Sequence, residues 1–160
     1  MTIQVGDTIP SVTLKHLTDN GMQDVTTDSI FQGKTVALFS VPGAFTPTCS
    51  AKHLPGFVQQ ADALKAKGVD TIVCLAVNDP FVMRAWGEKN NVDGKVMMLP
   101  DGNATFTQAL GLTMDGSGYG LGTRGQRFAL VAKDGKVTHL AVEKPGQFEV
   151  SSAEAVLGAL

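Results

Sequence analysis

Two short, β-branched and almost unbroken apolar runs, Thr35 to Val41 (TVALFSV) and Thr71 to Val77 (TIVCLAV), stand on either side of a helix-length segment. Runs of this kind are strands buried on both faces, which places them inside a parallel or mixed sheet covered by helices. Between them Leu54, Phe57, Val58, Ala61 and Leu64 recur at helical spacing. Lys65 and Lys67 suit the last turn of that helix and Gly68 its stop. Pro55 kinks it unless the proline falls in the first turn. The unit is a right-handed strand–helix–strand crossover.

The rest of the chain extends this unit. Asp79 caps a second helix with Pro80 at its first position and Phe81, Val82, Ala85 and Trp86 as its apolar stripe. Val96 to Leu99 reads as a short strand, and Asn103 to Leu110 as a short helix ended by Gly111. Phe128 to Ala132 and Lys136 to Val142 flank Asp134-Gly135, a dipeptide that favours the positive φ values of a tight hairpin turn. A closing helix is predicted to start at Ser151, with Glu154 completing a capping box. Near the N-terminus, Ser11 to Leu17 and Val25 to Thr27 read as an added hairpin. This order predicts a thioredoxin-like α/β fold: a mixed central sheet with flanking helices and an N-terminal β-hairpin extension, residues 1–160 forming one domain.

Composition removes several classes of function. A net charge of −2 offers no basic field to nucleic acid or to anionic lipid. No window approaches the roughly 18 apolar residues of a membrane span, and Met1 to Pro10 lacks a basic and then apolar leader, so a cytoplasmic location is expected. Two cysteines, Cys49 and Cys74, make no disulfide framework.

Cys49 follows Pro42-Gly43-Ala44-Phe45-Thr46-Pro47-Thr48, between the end of a central strand and the start of the long helix. Open α/β sheets build their sites at that end of a strand. Free amide groups and the positive end of the helix dipole favour a thiolate there. A free thiol with a pKa of about 8.5 is only a few per cent ionised at neutral pH, and lowering it by two to three units takes roughly 3 to 4 kcal/mol. A helix end supplies about 0.3 to 2 kcal/mol, so a nearby cation is required, and an arginine from elsewhere in the chain is the natural source. Thr46 occupies the position where a Cys-x-x-Cys redox motif has its first thiol; its hydroxyl can instead hold an oxygen-containing substrate beside the sulfur.

The pattern Pro42-x-x-x-Thr46-x-x-Cys49 resembles the active-site signature of the peroxiredoxins. The longer stretch VPGAFTPTCSAKHLPGF, with Asn78-Asp79, Trp86-Gly87 and Arg127-Phe128, resembles the type II branch of that family, in a one-cysteine form. The resemblance implies reduction of hydrogen peroxide and alkyl hydroperoxides without metal, haem or other cofactor, and a homodimer. It makes Cys49 the nucleophile, and has Thr46, with Pro47 and Thr48, bind the peroxide. Pro42 shields the sulfur, and Arg127 is the arginine that stabilises thiolate and substrate, with Arg124 as the rival for that role. A guanidinium suits the part because it donates several hydrogen bonds to the charge that grows on the departing oxygen. The product is a sulfenic acid on Cys49.

Some members of the branch carry a resolving cysteine before the last helix, where this chain has Ser151 and Ser152. Cys74 lies in the middle of a strand and reads as core. An external thiol is therefore expected to reset Cys49, from glutathione and glutaredoxin or from thioredoxin. His53 reads as a polar helix or interface histidine, and His16 and His139 as occupants of sheet faces. Gly120-x-Gly122-x-x-Gly125, with Glu143 further on, spells a dinucleotide fingerprint but precedes a strand instead of opening a helix, so it reads as a loop, with Tyr119 and Leu121 as wall of a substrate pocket. Two other functions compete: a redox sensor or chaperone switched by Cys49 oxidation, and a hydrolase using Cys49 with His53.

Overall fold

The computed structural model describes residues 1–160. In chain order its elements are β1 (Thr13–Thr18), β2 (Gly21–Thr26), α1 (Thr27–Phe31) and β3 (Thr35–Ser40). A π-helical turn (Cys49–His53) leads into α2 (Leu54–Gln59) and α3 (Ala61–Ala66). Then come β4 (Thr71–Ala76), α4 (Pro80–Lys89), β5 (Met97–Pro100), α5 (Thr105–Leu110), β6 (Thr113–Asp115) and β7 (Thr123–Gly125). The chain closes with β8 (Phe128–Lys133), β9 (Lys136–Val142) and α6 (Ala153–Gly158).

The two apolar runs, β3 and β4, pair in parallel at the centre of a five-stranded sheet ordered β5-β4-β3-β8-β9. β5 joins in parallel with β4, β8 pairs antiparallel with β3, and β9 pairs antiparallel with β8. Side chains alternate along each strand, so β3 sends Ala37 and Phe39 to one face and Val36 and Leu38 to the other. The first face packs on Leu54, Phe57, Leu64, Trp86 and Val156 from the helices, the second on Phe31, Phe106 and Leu110. Burial on both faces is why these strands lack polar alternation. Each such side chain contributes about 1.5 to 3 kcal/mol through loss of water contact.

Asp134 and Gly135 adopt φ values of 49° and 76°, the positive pair expected of the β8–β9 turn. Gly111, φ 73°, ends α5. The N-terminal hairpin is longer than its apolar residues suggest, because β2 is largely exposed. Three corrections concern local structure. The cap of α6 is Ser152, whose side chain accepts from the Ala155 amide, so Ser151 and Glu154 form no capping box. Residues Thr123–Gly125 are strand β7, paired with β6, where a loop was expected. The long helix is not continuous: it breaks at Gln60, between α2 and α3, while Pro55 falls in the first turn of α2, where a proline is tolerated. No helix is long and apolar enough to cross a membrane.

Candidate active site

The chain leaves the sheet at the end of β3 and is held in a loop before it re-enters a helix at Cys49. Three contacts shape that loop. Asn78 Oδ1 accepts from the Ala44 amide at 2.9 Å, Thr46 Oγ1 donates to the Gly43 carbonyl at 2.6 Å, and Arg124 Nη1 donates to the Pro42 carbonyl at 3.2 Å. A Cβ on Gly43 would lie 2.8 Å from Arg124 Nη1 and 3.2 Å from Thr46 Cγ2, so a larger residue there would push the arginine's tip aside. The hydroxyl proton of Thr46 is committed to Gly43, so toward a ligand this side chain acts as an acceptor.

The π-helical turn closes with the Leu54 amide donating to the Cys49 carbonyl, five residues back. Cys49 and His53, four residues apart across this turn, meet the same partner. Arg127, just before β8, donates from Nη2 to Cys49 Sγ at 3.1 Å and from Nη1 to His53 Nδ1 at 2.8 Å. The planar fork of the guanidinium thus bridges sulfur and imidazole.

His53 is fully buried, against the expectation of a polar helix or interface residue. It lies among the rings of Phe39, Phe57 and Phe148, with centroids 4.8, 5.7 and 4.9 Å away. Its Nε2 is 2.8 Å from the Ser151 carbonyl, which can only accept, so Nε2 carries the proton and Nδ1 offers its lone pair to Arg127. Burial lowers the His53 pKa to about 3, with the Arg127 charge acting the same way against the opposing pull of the Ser151 carbonyl and Glu143. At neutral pH the ring is an uncharged acceptor for the arginine. That tautomer leaves no free base to activate Cys49, so a hydrolase dyad has no support.

Ser151 is fixed in turn. Glu143 Oε2 accepts from the amides of Glu149, Val150 and Ser151 and from Ser151 Oγ, at 2.7 to 2.9 Å. Burial raises the pKa of this carboxyl, but the hydrogen bonds outweigh burial and hold it below the usual carboxylate range.

A cavity of about 760 Å³ is lined by Pro42, Thr48, Tyr119, Gln126, Arg127 and Lys144, among others. Cys49 is fully buried and does not itself line the cavity; it is joined to it through Arg127, which does. Of the expected substrate-binding residues Thr48 and Arg127 line the cavity, whereas Thr46 and the exposed Pro47 do not, nor does Leu121; Arg124 stays with the carbonyls of Pro42 and Leu121. A separate groove of about 490 Å³ beside α4 and β5 includes none of the Cys49 cluster. Cys74, fully buried in β4, is core as expected. Glu143 and Ser151 belong to this cluster, as does His53. Only His53 left a signal of this in the sequence, its spacing of four from Cys49.

The Redoxin family model matches residues 4–157. Peroxiredoxin-2B of Arabidopsis thaliana is 50% identical over 159 residues, covering 99% of this chain and 98% of the relative. The crystal structure of reduced Prx3 in complex with hydrogen peroxide, from Vibrio vulnificus, superposes with a TM-score of 0.95 at 54% identity, covering 99% of both chains. Peroxiredoxin 5 of Alvinella pompejana superposes with a TM-score of 0.87 at 36% identity, covering 98% of this chain and 97% of the other. With a thioredoxin-like sheet, a cysteine where β3 gives way to helix and an arginine on its sulfur, this chain belongs to the peroxiredoxin family.

Proposed function

We propose that this chain reduces hydrogen peroxide and small alkyl hydroperoxides at Cys49 and is reset by an external thiol, as a one-cysteine member of the type II branch. The observation that carries the reading is the guanidinium of Arg127 3.1 Å from Cys49 Sγ, beside a cavity lined by Pro42, Thr48 and Arg127 itself. The Cys49 thiolate attacks one peroxide oxygen, an S–O bond forms as the O–O bond breaks, and the departing oxygen leaves as an alkoxide or hydroxide that takes up a proton. Sulfur is oxidised to sulfenic acid and the peroxide is reduced to an alcohol or water. Arg127 Nη donors face the charge that develops, while Thr46 Oγ1 accepts from the peroxide hydroxyl. Full burial of the sulfur favours small substrates, and the peroxide in the Vibrio relative supports the same class.

Resetting requires two thiols. The first displaces water from the sulfenic acid to give a mixed disulfide, and the second releases Cys49 with formation of an external disulfide. Ser151 and Ser152 lack thiols and Cys74 is enclosed in β4, which favours glutathione with glutaredoxin, or thioredoxin, as the source. Two free cysteines suit a reducing compartment such as the cytoplasm. The proposal includes a homodimer, measurable by sedimentation. The test is peroxide consumption with the glutathione/glutaredoxin and thioredoxin systems supplied separately. Turnover with either supports the reading; no turnover with any thiol, alongside an oxidation-dependent change in assembly size, favours a redox sensor or chaperone.

A further inference from the structure

We infer that Glu143 is a positioning residue for the Arg127 guanidinium, acting on it through Ser151 and His53. Four hydrogen bonds close a ring. The Glu143 amide donates to the Arg127 carbonyl at 2.9 Å, and Arg127 Nη1 donates to His53 Nδ1. His53 Nε2 donates to the Ser151 carbonyl, and the Ser151 amide donates to Glu143 Oε2. Glu143 therefore holds Arg127 twice, by its backbone and, three links on, by its side chain.

Each link admits one assignment of donor and acceptor. A carboxylate only accepts, and four donors from residues 149–151 converge on a single oxygen, fixing where the Ser151 carbonyl points. That carbonyl can only accept, so it selects the Nε2–H tautomer of His53. The tautomer presents a lone pair to Nη1, which orients the fork with Nη2 toward Cys49 Sγ. The other tautomer would set two N–H groups face to face and turn the guanidinium away. The charged and titratable groups meeting His53 are Arg127 from the β8 side, Glu143 through Ser151, and Cys49 across the shared arginine. Phe39, Phe57 and Phe148 fill the remaining sides, so the ring has no water-exposed alternative partner.

This inference rests on Cys49 being the reacting thiol, and its test separates the two claims. Glu143→Gln keeps the size of the side chain but removes the charge that gathers four donors. In that variant the rate constant with hydrogen peroxide at pH 7 is expected to fall about tenfold, and iodoacetamide alkylation of Cys49, followed on its peptide by mass spectrometry, to fall in step. The pH midpoints of both rates move alkaline, and the ¹⁵N shifts of His53 lose the signature of a single Nε2–H tautomer. In a His53→Phe background, Glu143→Gln has no further effect on either rate. Unchanged rates, midpoints and imidazole shifts would overturn the inference even if the melting temperature dropped, as would additive effects in the double variant. If Glu143→Gln does not fold, Ser151→Ala, which removes only the Oγ donor, is read the same way, with about a twofold change expected and no change overturning the idea. A wild-type protein that consumes no peroxide, while alkylation still responds to Glu143→Gln, removes the peroxidase reading and leaves the coupling intact.

Discussion

Cys49 and Cys74 are equally buried, belong to the same apolar cluster and differ in almost everything that governs a thiol. Cys74 lies in mid-strand, opposite Phe39 on one side and Met98 on the other. There the backbone is committed to two ladders, and burial, with Cys49 nearby, pushes the Cys74 thiol well above its ordinary range despite a counteracting effect of Arg127. Cys49 lies where the chain has left the sheet, with Nη2 of Arg127 at its sulfur. Burial by itself does not decide whether a cysteine reacts; what decides is whether the fold leaves a donor pointed at it. The same contrast separates two arginines three residues apart. Arg127 donates to the sulfur, whereas Arg124 donates to two loop carbonyls.

The largest expected effect breaks the cysteine pair. Cys49→Ser should abolish peroxide consumption, a loss of at least about a thousandfold. Cys74→Ala should leave the rate within about twofold and cost about 1 kcal/mol of stability, measured by urea unfolding, because it only trims a buried side chain. Comparable losses at both cysteines would end the distinction.

The arginine pair comes next. Arg127→Leu is expected to lower the peroxide rate constant by about a hundredfold, since it removes donors preset around developing charge. Arg124→Leu should cost about tenfold or less, by loosening the Pro42 carbonyl, and stopped-flow oxidation ranks the two. Within the loop, Thr46→Val should lose about tenfold while Thr46→Ser stays near wild type, because the serine hydroxyl keeps both the Gly43 bond and a lone pair.

A smaller effect concerns acid stability. His53 has a folded pKa of about 3 against 6.5 in the unfolded chain. Between those values the unfolded chain binds a proton that the folded one refuses, so stability falls as pH falls, by about 1.4 kcal/mol per unit at the steepest. His16, lowered by burial, adds in the same direction. The Glu143 carboxylate contributes stability above its unfolded pKa that is lost as pH drops through its lower folded value. His53→Gln should therefore flatten the decline in urea midpoint between pH 6.5 and 4.5, the range above the carboxylates. The smallest change is Ser152→Ala, which removes the cap on the Ala155 amide and should cost about 1 kcal/mol in thermal unfolding without altering the peroxide rate.

Much of the fold was legible because its signals are local. Apolar runs without polar alternation marked β3 and β4, Asp134-Gly135 marked the hairpin, and Gly111 marked the end of α5. Ser151 was misread as the cap of α6 because two adjacent serines offer the same hydroxyl, and only the backbone geometry shows that Ser152 caps. The loop from Pro42 to Cys49 carried a dense motif, whereas His53 looked like one more polar residue four positions along a helix.

From the amino-acid order alone came the sheet's central strands, the crossover between them and a cysteine at the junction of strand and helix, since periodicity and turn chemistry act over a few neighbouring residues. The motif favoured Arg127 over Arg124 and the structure sets its Nη2 on the sulfur; tertiary structure alone decided which tautomer His53 adopts, and that Glu143 and Ser151 stand behind both. His53 and Ser151 alone lie 98 positions apart in the chain. Hydrogen-bond direction over a few ångströms is set by where packed elements bring donors and acceptors together, and no local pattern of residues encodes that meeting.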